Sequence, residues 1–299
     1  MSARTMNNFA AHPRPGDCRP RVITPIPKAS TSLESDHEAS TSNASVQQEQ
    51  QKTRLPSFWL CNARSANNKF EELLATVTLG DFDVCALTET WYKHDILPGV
   101  VSIPGYSLFM KCRQHQLGGG VALYVKHQWN ASQLPEIDVP ENLEIRLDQA
   151  RPYRLPRSVS CIFCAVAYFP HPDSEVEEAM IDHMLSTIDH LSVSNPQAGF
   201  VILGDFNQLN INPLIADQNF RQVVDQPTRG NNVLDKIITN VSDKYAIPQI
   251  TSPVGMSDHN TVHWAPVYSP QIRNASKLCS RRPMPESAEC YTFLWNVDQ

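Results

Sequence analysis

The stretch Phe200-Val-Ile-Leu-Gly-Asp-Phe-Asn207 decides how this chain reads. Four apolar residues run into Gly204, and a carboxylate and an amide then appear two apart, at Asp205 and Asn207. A short apolar run bounded by glycine predicts a buried strand. Gly204 is expected to let the backbone turn at the strand's end, so that Asp205 and Asn207 lie on the loop where a sheet opens to solvent. An acid able to take a proton, beside an amide able to hold what it deprotonates, suits the activation of a water molecule. The alternative for these two residues alone is an Asx turn that closes a strand. Their surroundings weigh between the two.

Upstream, the strand Val159–Tyr168 ends at Tyr168-Phe-Pro-His-Pro172. Asp173–Leu191 follows as an amphipathic helix with Met180, Met184, Leu185, Ile188 and Leu191 spaced as its core stripe. Leu143–Leu147 pairs with that strand through the loop Ala150–Arg157, whose Arg151, Arg154 and Arg157 form either a phosphate-contact edge or an exposed hairpin tip. Downstream, Phe220–Val224, Val233–Ile238 and Ala246–Ile250 are short strands, and Val254-Gly-Met-Ser-Asp-His259 leads into a last one at Thr261–Ala265.

Nearer the N-terminus, the strand Leu55–Cys61 delivers Asn62 at its end. Phe70, Leu73, Leu74 and Val77 then mark one face of a helix. Asp81–Leu87 is a second buried strand and delivers Glu89. Pro104–Met110 and the stretch Leu117–Val125 add two more. The triplet Gly118–Gly120 is read as permitting a tight hairpin and not as a phosphate loop, because no Gly-Lys-Ser/Thr follows and a strand comes next. Each strand–helix–strand step thus places a polar side chain at a strand's C-terminal end, where open α/β sheets carry their chemistry. Hairpins mixed with two helical crossovers predict an α/β fold, a two-sheet β-sandwich flanked by helices.

Residues 1–55, rich in Pro, Ser and Gln, are expected to be a disordered tail, 56–267 the folded domain, and 268–299 a basic polar tail or linker. A net charge of −6 argues against a coat of nucleic acid by bulk attraction, so any such contact must be local. It is compatible with an enzyme that meets a phosphodiester through a divalent cation, since that site needs carboxylates. No apolar run is long enough to cross a membrane and no secretory signal is visible. Eight cysteines without a disulfide-framework spacing fit an intracellular, reducing compartment. Cys161 and Cys164 form C-x-x-C inside a strand, where residues three apart point to opposite faces, so they are read as buried strand cysteines.

Collected in chain order, the strand-end polar residues are Asn62, Glu89, Tyr168, Asp205, Asn207, Asp235, Asp258 and His259. They supply the parts for metal-assisted phosphodiester hydrolysis. Glu89 is a hard oxygen ligand, with Asn62 orienting it or a bound water. Asp205 draws the proton while Asn207 holds the water in line. A cationic His259, with a buried acid behind it, stabilises charge on the phosphoryl oxygens, and Tyr168 bonds the phosphate or helps the leaving oxygen.

This order and spacing resemble the endonuclease/exonuclease/phosphatase superfamily with its DNase I-like fold, over about Phe58 to Trp264. The carrying motifs are Asn62, Thr88-Glu-Thr-Trp91, Tyr168 before a proline turn, Gly204-Asp-Phe-Asn207, Leu234-Asp235 and Ser257-Asp-His259. Cys61-Asn-Ala-Arg-Ser65 with Asn68-Lys69, Leu87-Thr-Glu-Thr-Trp91 and Gly118-Gly-Gly-Val121 look most like the apurinic-type endonuclease domain of non-LTR (LINE-like) retrotransposons. The resemblance implies a four-layer sandwich and a duplex DNA substrate. It also implies Mg²⁺, with Mn²⁺ as an alternative, and a nuclear site of action. Within it Glu89, Asn62 and Asp258 are metal-side residues, and Asp205, Asn207, His259, Tyr168 and Asp235 are catalytic. Asn207, Tyr168 and His259 also contact substrate, and Asp235 is the acid behind His259.

Two departures stand out. Arg64 lies two after Asn62, where some relatives carry an acid, and no paired aspartates of a reverse transcriptase occur in the chain, so that partner is expected to be supplied separately. Two other readings are another phosphoesterase of the same fold, such as a phosphatase or deadenylase, and a catalytically silent retrotransposon-derived fragment.

Overall fold

A computed structural model describes residues 54–113, 118–152, 155–170, 173–216 and 219–267. The expected tails at 1–55 and 268–299 lie outside the described residues, except Arg54 and Leu55, and so do Arg154 and His171.

The first sheet contains β1 (Phe58–Asn62), β2 (Val84–Thr88), β3 (Tyr106–Lys111), β4 (Val121–Lys126), β11 (Gln249–Thr251) and β12 (Thr261–Trp264), ordered β11-β12-β1-β2-β4-β3. The second contains β5 (Ala131–Gln133), β6 (Glu144–Ala150), β7 (Ile162–Tyr168), β8 (Gly199–Asp205), β9 (Arg221–Gln222) and β10 (Asp235–Thr239), ordered β5-β6-β7-β8-β10-β9. Helix α1 (Phe70–Gly80) is the crossover between parallel β1 and β2, and α2 (Ser174–Ser194) is the crossover between parallel β7 and β8. A single turn, α3 (Asn212–Ile215), follows β8. The α/β two-sheet sandwich expected from the sequence is the architecture found.

The central strand shows why its sequence is apolar at every position. In β8, Val201 and Leu203 face the space between the sheets, where they meet Val166 of β7 and Ile237 of β10. Phe200 and Ile202 face the other way, onto Met180, Met184 and Ile188 of α2. A strand covered on both faces has no polar alternation to show. Burying each such side chain contributes about 1.5–3 kcal/mol. On the first sheet the same division holds: Phe58 and Leu60 point between the sheets, while Trp59 and Cys61 pack towards Leu73 and Val77 of α1. Two inner and two outer apolar faces make four layers, helix–sheet–sheet–helix. Cys161 belongs to the α2 layer and Cys164 to the space between sheets, as opposite faces require.

Helix α2 starts where Asp173 Oδ1 accepts from the backbone N–H of Glu175, at 3.1 Å, and of Val176, at 3.5 Å. Its span runs three residues beyond the predicted Leu191, closed by Asn195, whose backbone N–H donates to Leu191 O. Strand β5 was not foreseen, because a three-residue Ala-Ser-Gln edge strand carries no hydrophobic period.

Both parallel pairs run the same way into one end of the sandwich. Cα register pairs Asn62 with Thr88 in the first sheet; in the second, Asp205 pairs with Tyr168 on one side and Asp235 on the other. That end carries the polar residues.

Candidate active site

Gly204 does not make the turn expected of it. It lies inside β8 against Ala167, and a Cβ there would meet the Ala167 carbonyl oxygen at 1.9 Å. The glycine serves close approach of β7 and β8, and the turn falls to Asn207, whose φ is 44°. Asp205 therefore ends the strand and is only 1% exposed, not on an open loop. The Asx turn is formed: Asn207 N–H donates to Asp205 Oδ1 at 3.1 Å, a geometry that both readings of these residues share.

Around Asp205 the two sheets converge. Asn62, closing β1, donates through Nδ2 to Asp205 Oδ2 at 2.8 Å and to Glu89 Oε1 at 2.9 Å, so one amide joins a carboxylate from each sheet. Ser257 fixes Asn62 from behind, its hydroxyl donating to Asn62 O at 2.8 Å. The same hydroxyl accepts from the His259 backbone N–H at 3.3 Å. His259 is 1% exposed; its Nδ1 lies 2.7 Å from Asp235 Oδ2, and its Nε2 lies 4.0 Å from Asp205 Oδ2. The arrangement is a chain, Asp235–His259–Asp205–Asn62–Glu89, buried except at the half-buried Glu89.

Asp205, His259 and the adjoining Tyr168 are displaced from their ordinary values. Burial, and then the neighbouring Asp235 carboxylate, push Asp205 up to about 7, against the pull of His259, the Asn207 N–H and Asn62. Burial opposes charge on His259, but the Asp235 hydrogen bond and the Asp235 and Asp205 carboxylates outweigh it and hold the imidazole above its ordinary value. Burial, then the Glu89, Asp205 and Glu144 carboxylates, push the Tyr168 phenol far up, so it stays a hydrogen-bond donor. An acid poised near neutrality opposite a favoured imidazolium can take a proton and stabilise an anion at one place.

The residues also bear on a cation. Glu89, Asp205 and Asp235 outnumber the single imidazole, and Asp235 Oδ1 is buried with no hydrogen-bond partner among the described residues. Asp205, Asp235 and His259 each offer an atom within 4.8 Å of the others. Hard oxygens and surplus negative charge fit a divalent ion of the Mg²⁺ kind. His259 is the poorest ligand of the trio, because its Nδ1 already bonds Asp235 and a favoured proton competes with a metal.

Glu89 is held by backbone strain and by the glycine triplet. Its φ is 49°, and the next two N–H groups are taken up by that loop: Thr90 donates to Gly120 O at 3.1 Å and Trp91 to Gly119 O at 2.8 Å. Gly118, Gly119 and Gly120 all have φ between 66° and 86°, and a Cβ on Gly119 would strike Glu144 Oε2 at 2.5 Å. The hairpin between β3 and β4 is a nine-residue loop, wider than expected, and its glycines permit close approach to the residues after Glu89. Sequence reading missed the buried Glu144 that anchors the loop: it accepts from Gly120 N–H and from Arg113, whose Nε lies 2.7 Å from Oε1. Its position at the start of β6, in register with Tyr168, was the available signal.

Asp258, grouped with the metal-side residues in the sequence, is 36% exposed and paired with two arginines. Arg64 Nη1 lies 3.3 Å from its Oδ1 and Arg229 Nη2 2.6 Å from its Oδ2. Burial opposes its charge, but its own backbone N–H, Arg229, His259 and Arg64 together hold the carboxyl below its usual value.

With that geometry in hand, the known proteins it resembles are consistent. A model of the endonuclease/exonuclease/phosphatase family matches residues 43–259. No curated protein matches the chain in sequence. Among solved structures, AP endonuclease LMAP from Leishmania major is similar at TM-score 0.55 and 15% identity, covering 72% of this chain and 89% of that one. The endonuclease domain of TRAS1, a telomere-specific non-LTR retrotransposon, gives 0.55 and 14%, covering 71% of this chain and 98% of that one. A 3′-phosphatase from Neisseria, bound to a product DNA hairpin, gives 0.52 and 13%, covering 72% and 100%. These likenesses show the DNase I-like fold. The matched span, more than half of the chain, shows that it belongs to the endonuclease/exonuclease/phosphatase family.

Proposed function

We propose that this protein is a Mg²⁺-dependent endonuclease that nicks duplex DNA by activating a water molecule, as in target-site nicking for retrotransposon integration. One observation carries the reading: Asp205, buried and pushed up to about 7, faces across 4.0 Å an imidazole whose protonated form the Asp235 hydrogen bond and charge favour. Asp205 takes a proton from the water. Asn207, whose Nδ2 donates to Phe169 O at 2.7 Å, has its amide oxygen left to accept the water's second O–H. His259 and the protonated Tyr168 donate to the phosphoryl oxygens as negative charge builds there. Glu89, with Asn62 beside it, holds the divalent cation, which when bound supplies Lewis-acid stabilisation of the phosphate. Mn²⁺ suits the same oxygen donors.

The choice of DNA nicking over other phosphoester chemistry rests on the motifs around Asn62, Glu89 and Gly118–Gly120. On this reading the substrate is nuclear DNA, and the freed 3′-hydroxyl is extended by a reverse transcriptase. The test is conversion of supercoiled plasmid to open circles with Mg²⁺, with EDTA and with Asp205→Asn. Nicking that needs the metal and disappears in the variant supports the assignment. An intact plasmid from folded wild-type protein refutes it, and sugar-phosphate and 3′-phosphate substrates are then the assay of choice.

A further inference from the structure

The mouth of the site holds a cluster that the reaction above does not use. Arg64 and Arg229 come from opposite sheets' connections, the first two residues beyond the end of β1 and the second in the turn that precedes β10. Both guanidiniums close on the single Asp258 carboxylate, one on each oxygen. The side chains are 52%, 48% and 36% exposed for Arg64, Arg229 and Asp258, so the cluster faces solvent while Asp205 and His259 beneath it do not. Its net charge is +1 in a chain whose net charge is −6.

Both arginines are placed by the catalytic residues' own supports. The Arg64 backbone N–H donates to Asn62 Oδ1 at 3.0 Å, and Arg64 takes a left-handed φ of 39° that only local bonding would hold in a residue with a Cβ. Arg229 lies in a turn closed by reciprocal backbone bonds with Asn232, at 3.1 and 2.9 Å, around Gly230 at φ 56°. Thr228, fully buried, fastens that turn: its hydroxyl accepts from Leu234 N–H and Asp235 N–H at 3.1 Å each, and its carbonyl from Asn260 N–H at 2.7 Å. So Arg229 is referenced through its neighbour Thr228 to Asp235 and, through Asn260, to His259. Arg229 is also close enough to oppose the charge on His259.

We infer that Arg64 and Arg229 form a binding site for a backbone phosphate beside the one that is cleaved, and that Asp258 positions them in place of ligating the metal. The inference rests on the phosphodiester reading given under Proposed function. A guanidinium has five N–H donors in a rigid fork, so one bond to a carboxylate leaves others to meet an anion bidentately. Two of them pinned on one carboxylate lose little further freedom when a phosphate arrives. Asp258, with both oxygens engaged by cations, is a poor candidate to accept a third. An acidic protein that binds a polyanion needs local positive charge at its mouth, and this cluster provides it.

The test has two arms. In the first, binding of a fluorescent 20-bp duplex is followed by anisotropy against salt in EDTA, where no cleavage occurs. Each phosphate contact contributes about 0.9 to the slope of log K against log salt. Arg64→Ala and Arg229→Ala are each expected to lower the slope by about 1, and Arg229→Lys to restore most of it while binding more weakly than wild type. Wild type that binds with a slope both alanine variants leave unchanged overturns the inference and spares the functional reading. Wild type that shows no salt-dependent binding removes the functional reading and the inference with it. In the second arm, Mn²⁺ binding to DNA-free protein is read by electron paramagnetic resonance. Glu89→Gln is expected to weaken it at least tenfold and Asp258→Asn to leave it within twofold. Equal losses in the two variants make Asp258 a metal ligand and overturn the positioning role.

Discussion

Replacing Asp235 by asparagine is the most informative single perturbation of this site, because that carboxylate acts on two groups at once. It raises Asp205, next after burial, and its hydrogen bond and charge raise His259. The interacting atoms lie within 4.8 Å of one another. At that separation, two unit charges with an effective dielectric constant of about 20 interact by about 3.5 kcal/mol, equivalent to about 2.5 pKa units. The imidazolium between them shields part of this, so about 1–2 units is expected at Asp205. The signs follow. On the proposed mechanism Asp205 works as a base only when ionised, so wild-type activity should rise with pH as it loses its proton. Without Asp235 that loss occurs at lower pH, and the acid limb moves down. His259 donates charge only when protonated, and without Asp235 it deprotonates at lower pH, so the alkaline limb also moves down. The whole pH–rate profile should shift to lower pH by about 1–2 units. The assay is plasmid nicking under single-turnover conditions from pH 5 to 9, at one saturating Mg²⁺ concentration, so that any effect of the ion on Asp205 is common to both enzymes. An Asp235→Asn profile that keeps its wild-type limbs and loses only height would refute the electrostatic coupling and leave Asp235 a merely steric support.

Other consequences can be checked alongside it. His259→Ala should lower the single-turnover rate by about 10²–10³ while duplex affinity changes by less than about threefold; a loss confined to affinity would reverse the role given to the imidazole. Gly204→Ala places a Cβ 1.9 Å from the Ala167 carbonyl oxygen, where real Cβ atoms essentially never come closer than 3.0 Å. The overlap must push β8 off β7, at about 3 kcal/mol. That predicts a Tm about 6–12 °C lower for a domain of this size, and an unchanged melting curve would contradict the packing. Glu144→Gln removes the anionic acceptor that holds Gly120 N–H and Arg113. Its effect should appear as weaker Mn²⁺ binding through a displaced Glu89 while the melting temperature falls by only a few degrees; Mn²⁺ affinity equal to wild type would break the link between that loop and Glu89.

What the sequence by itself determined was the set of local signals. Apolar runs, helical spacing and strand-end polar residues are written in short windows, and they were enough for the two-sheet sandwich, its two crossovers and the identity of Asn62, Glu89, Asp205, Asn207, Asp235 and His259 as the polar residues of one end. A C-x-x-C on opposite faces of a strand is local in the same sense, since it follows from a two-residue period alone.

Tertiary structure decided whatever depended on what lies across a gap in sequence. Gly204 looked like a turn residue because glycine often is, yet its need comes from Ala167 on the neighbouring strand. Asp205 looked exposed at a strand's end, and the converging ends of the two sheets bury it. The glycine triplet serves the loop after Glu89 and the carboxylate of Glu144, which lies 24 residues from Gly120. Asp258 is grouped with the metal-side residues by the family resemblance, and no short window shows the two arginines from distant loops that pair with its oxygens. Sequence records which groups a chain owns; a carboxylate's protonation and partners depend on which charges and backbone atoms lie within a few ångströms, and only folding sets those distances.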